Sequence, residues 1–324
     1  VGTAQTLSIR ELSISFARRE GDIHAVQRVS LDVAPRECVG IVGESGSGKT
    51  QVFMAAMGLL ANNARLSGSV RFQNEELVAA DARRLNRIRG SKLTMIFQDP
   101  MTSLTPHLKV GTQLAEVLVC HAGLSWSGAR TAAHRMLDRV RVPEPGRRLN
   151  QYPHELSGGL RQRVMIAMSL LCEPELVIAD EPTTALDVTI QAEIIELLRA
   201  MRGDLGMGLV LISHDLAVVA CLADRIVVMY AGRIVESGAA AELLRHPRHP
   251  YTAELINCIP NLSGPRRARL PTLPGQPPQP GDSIAGCAFQ PRCPRAAERC
   301  RTERPPLADA GGAGSVACHF PLSS

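Results

Sequence analysis

Hydrophobic and polar positions alternate near the start of the chain. Leu7, Ile9, Leu12, Ile14 and Phe16 are separated by Ser, Arg and Glu, and a second such stretch runs from Val26 to Val33. Both predict strands with one buried face. Cys38–Val42 is a short unbroken apolar run that enters a glycine loop, and Thr50–Leu60, rich in Ala and Met, predicts a helix behind it. Ser69–Phe72 predicts a strand after the Ser67-Gly68 turn, and Leu93–Phe97 a strand of the fully buried type. Residues from about 103 to 172 follow a mainly helical pattern interrupted at Pro143, Pro145 and Pro153. Leu176–Ala179, Gly208–Ile212 and Arg225–Met229 are buried-type strands, with a helix predicted over about Val188–Arg202. Strands alternating with helices imply an α/β fold with a mostly parallel sheet covered on both faces. From Pro260 to Gly281, Pro, Gly and Arg replace the periodic pattern, which predicts a linker or extended arm. No internal repeat of about 20–50 residues is visible.

A chain of 324 residues suggests two domains, or one large domain with an appendage. At 45% hydrophobic and 21% charged residues it can bury a sizeable core, which excludes wholesale disorder. The longest apolar runs, such as Val164–Cys172, fall short of the ~20 residues a membrane span needs. No basic-then-apolar leader opens the sequence, so a cytosolic location is expected. A net charge of +5 and 3% aromatics are too little for a nucleic-acid footprint or a base-stacking platform. Lysines are scarce, at positions 49, 92 and 109, which singles out Lys49 in its glycine loop. Of nine cysteines, Cys38, Cys120, Cys172, Cys221 and Cys258 are scattered and read as small core residues, while Cys287, Cys293, Cys300 and Cys318 crowd the end of the chain.

Gly43, Glu44, Ser45, Gly46, Ser47, Gly48, Lys49 and Thr50 fit the G-x-x-x-x-G-K-[ST] pattern between an apolar strand and a helix. The glycines let backbone N–H groups curl around phosphate oxygens, and the following helix turns its positive end to the same anion. Lys49 is placed to reach the β- and γ-phosphates, and the Thr50 hydroxyl to bind Mg²⁺. The acidic partner is expected at the end of a buried strand, where Asp180 and Glu181 follow Leu176–Ala179. Asp180 would hold Mg²⁺ and Glu181 would orient and deprotonate the attacking water. An Asp-Glu pair alone reads as a solvated turn; here its setting favours the metal-site reading. Upstream, Leu156-Ser157-Gly158-Gly159-Leu160-Arg161-Gln162-Arg163 combines a Ser N-cap, two glycines and a helix start, the makings of a second anion site.

This last segment resembles the LSGGQ-like signature of the ATP-binding cassette (ABC) ATPases, with Leu160 where Gln or Met is more usual. The resemblance extends over almost the whole chain: Gln98 looks like the Q-loop glutamine, Asp187 like the D-loop aspartate and His214 like the switch histidine. It implies a RecA-like P-loop core with an N-terminal antiparallel β subdomain, a helical subdomain over about 103–172 and a Cys-containing C-terminal extension. The implied boundaries are an ATPase domain at 1–258 and an extension at 259–324. It also implies a composite site in which two cassettes stack head to tail, and ATP on one phosphate loop is closed over by Ser157, Gly158 and Gly159 of the partner. His214 would contact the γ-phosphate, and Gln98 the Mg²⁺ or the attacking water. The adenine-stacking aromatic of the family aligns near Glu20; Phe16, with His24 on the other side, is the nearest aromatic, and a plain core-strand role for it stands equally.

Phe97–Leu104, His246–Thr252, Leu273–Pro278 and Gly286–Pro294 look like the oligopeptide/dipeptide importer ATPases. That resemblance implies hydrolysis of ATP on the cytoplasmic face of the inner membrane, against two membrane permease subunits. It further implies a second cassette subunit, in that subfamily usually a different chain, and an extracytoplasmic solute-binding protein; nickel, glutathione and other small solutes are alternatives to peptide. The C-x5-C-x6-C-x17-C spacing of the last cysteines is not that of ordinary zinc sites. Similar tails in the family carry a [4Fe–4S] cluster, with zinc or no metal as the alternatives. A soluble cassette ATPase of DNA repair or translation is the competing class; one cassette without a heptad run counts against it.

Overall fold

In the computed structural model, residues 5–19, 21–99, 103–184, 186–259, 273–279, 282, 284–310 and 314–323 are described. They fall into two compact units. One holds 5–6, 33–37 and 79–212; the other holds 7–32, 38–78 and 213–323.

In the first unit, β6 (Leu93–Ile96), β7 (Leu176–Asp180) and β8 (Gly208–Ser213) run parallel, with Ile178 opposite Met95 on one side and Val210 on the other. All three strands are buried along their length, as expected of parallel strands covered by helices. The helical region predicted over about 103–172 contains helices Val110–Ala122, Trp126–Arg139, Pro145–Arg148 and Gly158–Leu170. Buried Arg163 ties the helix Gly158–Leu170 to the end of Trp126–Arg139 by donating to the Val140 carbonyl at 3.0 Å, and outside this region it donates to the Glu193 carboxylate at 2.6 Å. The helix expected to end near Arg202 continues to Leu205 and stops at Gly206, whose φ of 63° makes a left-handed cap.

In the second unit, β1 (Leu7–Phe16), β2 (Ile23–Val33), β4 (Ala64–Phe72) and the short β5 (Glu75–Glu76) form an antiparallel sheet in the order β2-β1-β4-β5. Leu7, Ile9, Leu12 and Ile14 are fully buried. A register shift between Arg10 and Ser13 keeps the apolar face turned inward where the strict alternation breaks. β3 (Cys38–Val42) runs parallel to β9 (Arg225–Tyr230), which pairs antiparallel with β10 (Arg233–Ala239). β10 was not apparent from the sequence because Glu236 interrupts its apolar pattern. That carboxylate is buried and accepts from the amides of Arg248 at 2.6 Å and His249 at 3.0 Å. The helix expected over Thr50–Leu60 spans Lys49–Ala56.

The described part of the C-terminal extension belongs to this second unit. Short strands β11 (Ala308–Asp309) and β12 (Ser315–Val316) add to β10, with Glu236 opposite Val316. The predicted arm over Pro260–Gly281 lies largely outside the described residues. Among the described residues no helix is long and apolar enough to cross a membrane.

Candidate functional site

The phosphate loop is shaped by its glycines. Gly43 and Gly48 have φ of 153° and 93°, and a side-chain carbon there would come within 2.2 Å of the Met229 carbonyl and 2.4 Å of the Ala25 carbonyl. The chain passes too close to its neighbours at both points for any other residue. Lys49 is 5% exposed. Its ammonium donates to the carbonyls of Gly43 at 2.7 Å and Glu44 at 2.9 Å, so the lysine closes the loop on itself. The Ser47 amide donates to the Glu44 carbonyl at 3.2 Å, and the Ser47 carbonyl accepts from Gly232 at 3.0 Å. Ser45 and Gly46 form the exposed crest, and Thr50 is half-buried in the first helical turn. Glu44 departs from the expected pattern of amides turned to a ligand: its N–H donates to the Tyr251 hydroxyl at 2.9 Å, and its carboxylate is held by Arg292.

In the first unit, β7 delivers buried Asp180 and, one step on, half-buried Glu181. Glu181 has φ of 47°, a left-handed conformation uncommon outside Gly, Asn and Asp. Its amide donates to the Ile212 carbonyl at 2.9 Å, which anchors the backbone to β8. Two donors converge on its Oε2: Gln98 Nε2 at 3.0 Å and Thr184 Oγ1 at 2.9 Å. The structure thus brings Gln98 and Glu181 together, two residues 83 positions apart. Thr184 was not singled out beforehand; its place three residues after Glu181 is the available signal. Backbone strain at a residue held by several polar contacts is a recurrent mark of functional sites.

Ser157 caps the helix Gly158–Leu170, its Oγ accepting from the Leu160 amide at 3.4 Å. Ser157 and Gly158 are exposed while Leu156 is buried, so the signature segment offers its polar face outward from a fixed hydrophobic footing. Asp187 caps Val188–Leu205, accepting from Ile190 at 3.0 Å. In the second unit His214 is exposed; next to it Asp215 caps Leu216–Ala220 and donates its own amide to Ser213 Oγ at 2.9 Å. Phe16 is half-buried at the end of β1 and His24 exposed, and Glu20 lies outside the described residues.

The four tail cysteines are brought together. Cys287, Cys293, Cys300 and Cys318 line one cavity with His249 and Phe289. The Cys287 amide donates to the Cys300 carbonyl at 2.8 Å. Burial pushes the thiols of Cys287, Cys293 and Cys318 up, and neighbouring tail thiols push in the same direction. His249 is buried and accepts from the Tyr251 amide on Nδ1 at 3.0 Å, while Nε2 has no hydrogen-bond partner. Burial lowers its pKa to about 4, so the ring is neutral at pH 7 and Nε2 carries the proton. Among the described residues, no three His, Cys, Asp or Glu side chains converge closely enough to hold a metal ion.

A phosphate loop, an acidic strand end and an exposed capped serine-glycine turn define a nucleotide-binding cassette, and comparison with known proteins agrees. The family profile for the ABC transporter matches residues 26–184, and that for the oligopeptide/dipeptide transporter C-terminal region matches 235–300. The chain is 48% identical to the oligopeptide transport ATP-binding protein OppD of Salmonella typhimurium, over 98% of this chain and 94% of that one. It is 46% identical to the dipeptide transport ATP-binding protein DppD of Haemophilus influenzae, over 98% and 96%. A dimeric ATP-binding cassette, MJ0796, solved in a post-hydrolysis state with ADP and Pi, superposes with a TM-score of 0.65. The two share 28% identity over 72% of this chain and 98% of that one. The chain belongs to the ABC transporter ATPases, in their oligopeptide/dipeptide branch.

Proposed function

We propose that this chain is the ATP-hydrolysing subunit of a peptide importer. One observation carries the reading: the likeness to oligopeptide and dipeptide transport ATP-binding proteins spans nearly the whole chain and continues through the C-terminal extension. ATP is the substrate. The loop Gly43–Thr50 would bind its phosphates, with Lys49 exchanging carbonyl contacts for phosphate oxygens. Thr50, Gln98 and Asp180 offer hydroxyl, amide and carboxylate oxygens, a hard donor set that suits Mg²⁺. When bound, Mg²⁺ neutralises charge on the transferred phosphate. Glu181 takes the proton of the attacking water on its carboxylate, and Gln98 and Thr184 orient that carboxylate by donating to Oε2. His214 contacts the γ-phosphate.

Ser157, Gly158 and Gly159, turned outward from their own unit, would close over the ATP of a second cassette, which we take to be a different chain. Asp187 would lie at the same junction. Closure driven by ATP and opening driven by hydrolysis form a ligand-biased two-state element. The work of that element goes to two membrane permeases supplied by an extracytoplasmic binding protein, with this chain peripheral on the cytoplasmic face of the inner membrane. Residues 1–258 would carry the ATPase and 259–324 the extension.

In the tail we infer a [4Fe–4S] cluster on Cys287, Cys293, Cys300 and Cys318. Four cysteines in the lining of one cavity supply the number of thiolates that such a group takes. The orphaned Nε2–H of His249 in the cavity wall supplies a donor for a thiolate or sulfide. Such a group would contribute folding energy to a tail with a small core of its own.

The functional reading is tested by ATPase assay in vesicles containing the permeases and partner cassette. Peptide-loaded binding protein should stimulate turnover several-fold, and nucleic acid should not. Stimulation by another solute and not by peptide would contradict the substrate assignment.

A further inference from the structure

Glu44, second residue of the phosphate loop, is gripped from the cysteine tail. Arg292 Nη1 donates to its Oε2 at 2.6 Å and Nη2 to its Oε1 at 3.0 Å, a two-pronged pair across 248 positions of sequence. The Arg292 side chain is only 3% exposed. Its Nε donates to the Pro274 carbonyl at 2.8 Å and Nη1 also to the Tyr230 hydroxyl at 3.2 Å. Its guanidinium carbon lies 5.9 Å from the ring centres of both Tyr230 and Phe289. Tyr230, Tyr251 and Phe289 pack on one another with centroids 4.6–5.5 Å apart, three fully buried rings in a chain with few aromatics. The Tyr251 hydroxyl accepts the Glu44 amide. Both handles of Glu44, main-chain and side-chain, are therefore held by residues that follow the cassette's last strand in sequence.

A packing anchor at this place would need no charge, since an apolar side chain fills a buried site at no desolvation cost. A fork aimed at a carboxylate fixes direction as well as position. The residue it fixes sits between Gly43, where the Met229 carbonyl leaves no room for a side chain, and the exposed crest at Ser45 and Gly46. We propose that Arg292 is a positioning residue for ATP binding: through Glu44 it holds the phosphate loop in its curled form and couples that form to order in the cysteine tail. This rests on the reading of Gly43–Thr50 as the phosphate loop. Arg292 lies between Cys287 and Cys293, so whatever orders those cysteines orders the clamp. A pre-shaped loop binds ATP without the cost of ordering it; a released loop must be ordered by ATP itself. The chemical step, carried by Glu181, is not touched.

The test compares ATP affinity, KM and kcat of the full chain, assayed with its partner cassette, with those of Arg292→Met, Arg292→Lys, Glu44→Gln and the Glu44→Gln/Arg292→Met pair, with Lys49→Ala as reference. Kd and KM for ATP should rise about tenfold in Arg292→Met and Glu44→Gln with kcat within about twofold, and less in Arg292→Lys. The double variant should be no weaker than the worse single one, because both remove the same contact. Amide exchange over 43–48 should quicken in Arg292→Met. Unchanged Kd and KM in both single variants, additive effects in the pair, or a fall in kcat at constant KM would overturn the coupling. If Arg292→Met fails to fold, Glu44→Gln leaves the tail residue in place and still decides. Full ATP affinity in Lys49→Ala would remove the phosphate-loop reading itself; loss there with no effect at Glu44 or Arg292 removes the coupling alone.

Discussion

The phosphate loop and the strand end at Glu181, to which we assign the holding of ATP and the chemical step, are built in opposite ways. The loop is closed on itself: Lys49 is buried against the carbonyls of Gly43 and Glu44, and Glu44 is held on both main chain and side chain. The strand end is half-buried and set by a few side-chain contacts on a residue with positive φ. A binding cradle gains from having little freedom, because every ordering cost met in folding is one that ATP need not meet. A proton acceptor must meet a water and then release a proton, so its carboxylate is only steered. On the proposed assignment, rigidity goes with binding and accessible polar geometry with chemistry.

The difference can be broken from either side. The largest effect is expected at Glu181→Gln, which keeps the shape and the donors' target but removes the base. Turnover should fall about 100-fold or more with ATP affinity held within about threefold. Next is Lys49→Ala, which empties the loop's centre. ATP affinity should drop on the order of 100-fold by titration of a fluorescent nucleotide, since a charged hydrogen-bond donor is lost. Gly48→Ala puts a methyl group 2.4 Å from the Ala25 carbonyl at a φ of 93°. It should lower stability by about 1–3 kcal/mol in urea unfolding and weaken ATP binding in step. The smallest effect is expected at Thr184→Val, which removes the Thr184 donor from Glu181 Oε2. It should cut kcat about threefold to tenfold and leave KM for ATP unchanged.

Much of this was legible in the sequence, to different depths. The loop was readable because its chemistry demands glycines, a lysine and a hydroxyl at fixed offsets. Glu181 was readable because a buried parallel strand shows as an apolar run and the acid directly follows it. The contacts that tune each site were not: Gln98 to Glu181 and Arg292 to Glu44 join residues 83 and 248 positions apart. Pattern reasoning works through local periods and has no signal for a pairing made by the fold. β10 was hidden for a related reason, because its buried Glu236 is satisfied by amides of Arg248 and His249 further along the chain. The four cysteines announced themselves by crowding, but only the fold shows them around one cavity with His249 in its wall.

The most direct test of the division between holding and reacting is a single experiment on two variants. ATP retained and phosphate released are measured on the same samples of Lys49→Ala and Glu181→Gln, each with the partner cassette. The expected result is a crossed pattern: Glu181→Gln retains ATP and releases almost no phosphate, while Lys49→Ala retains little ATP at all. Steady phosphate release by Glu181→Gln, or undiminished ATP retention by Lys49→Ala, would contradict it.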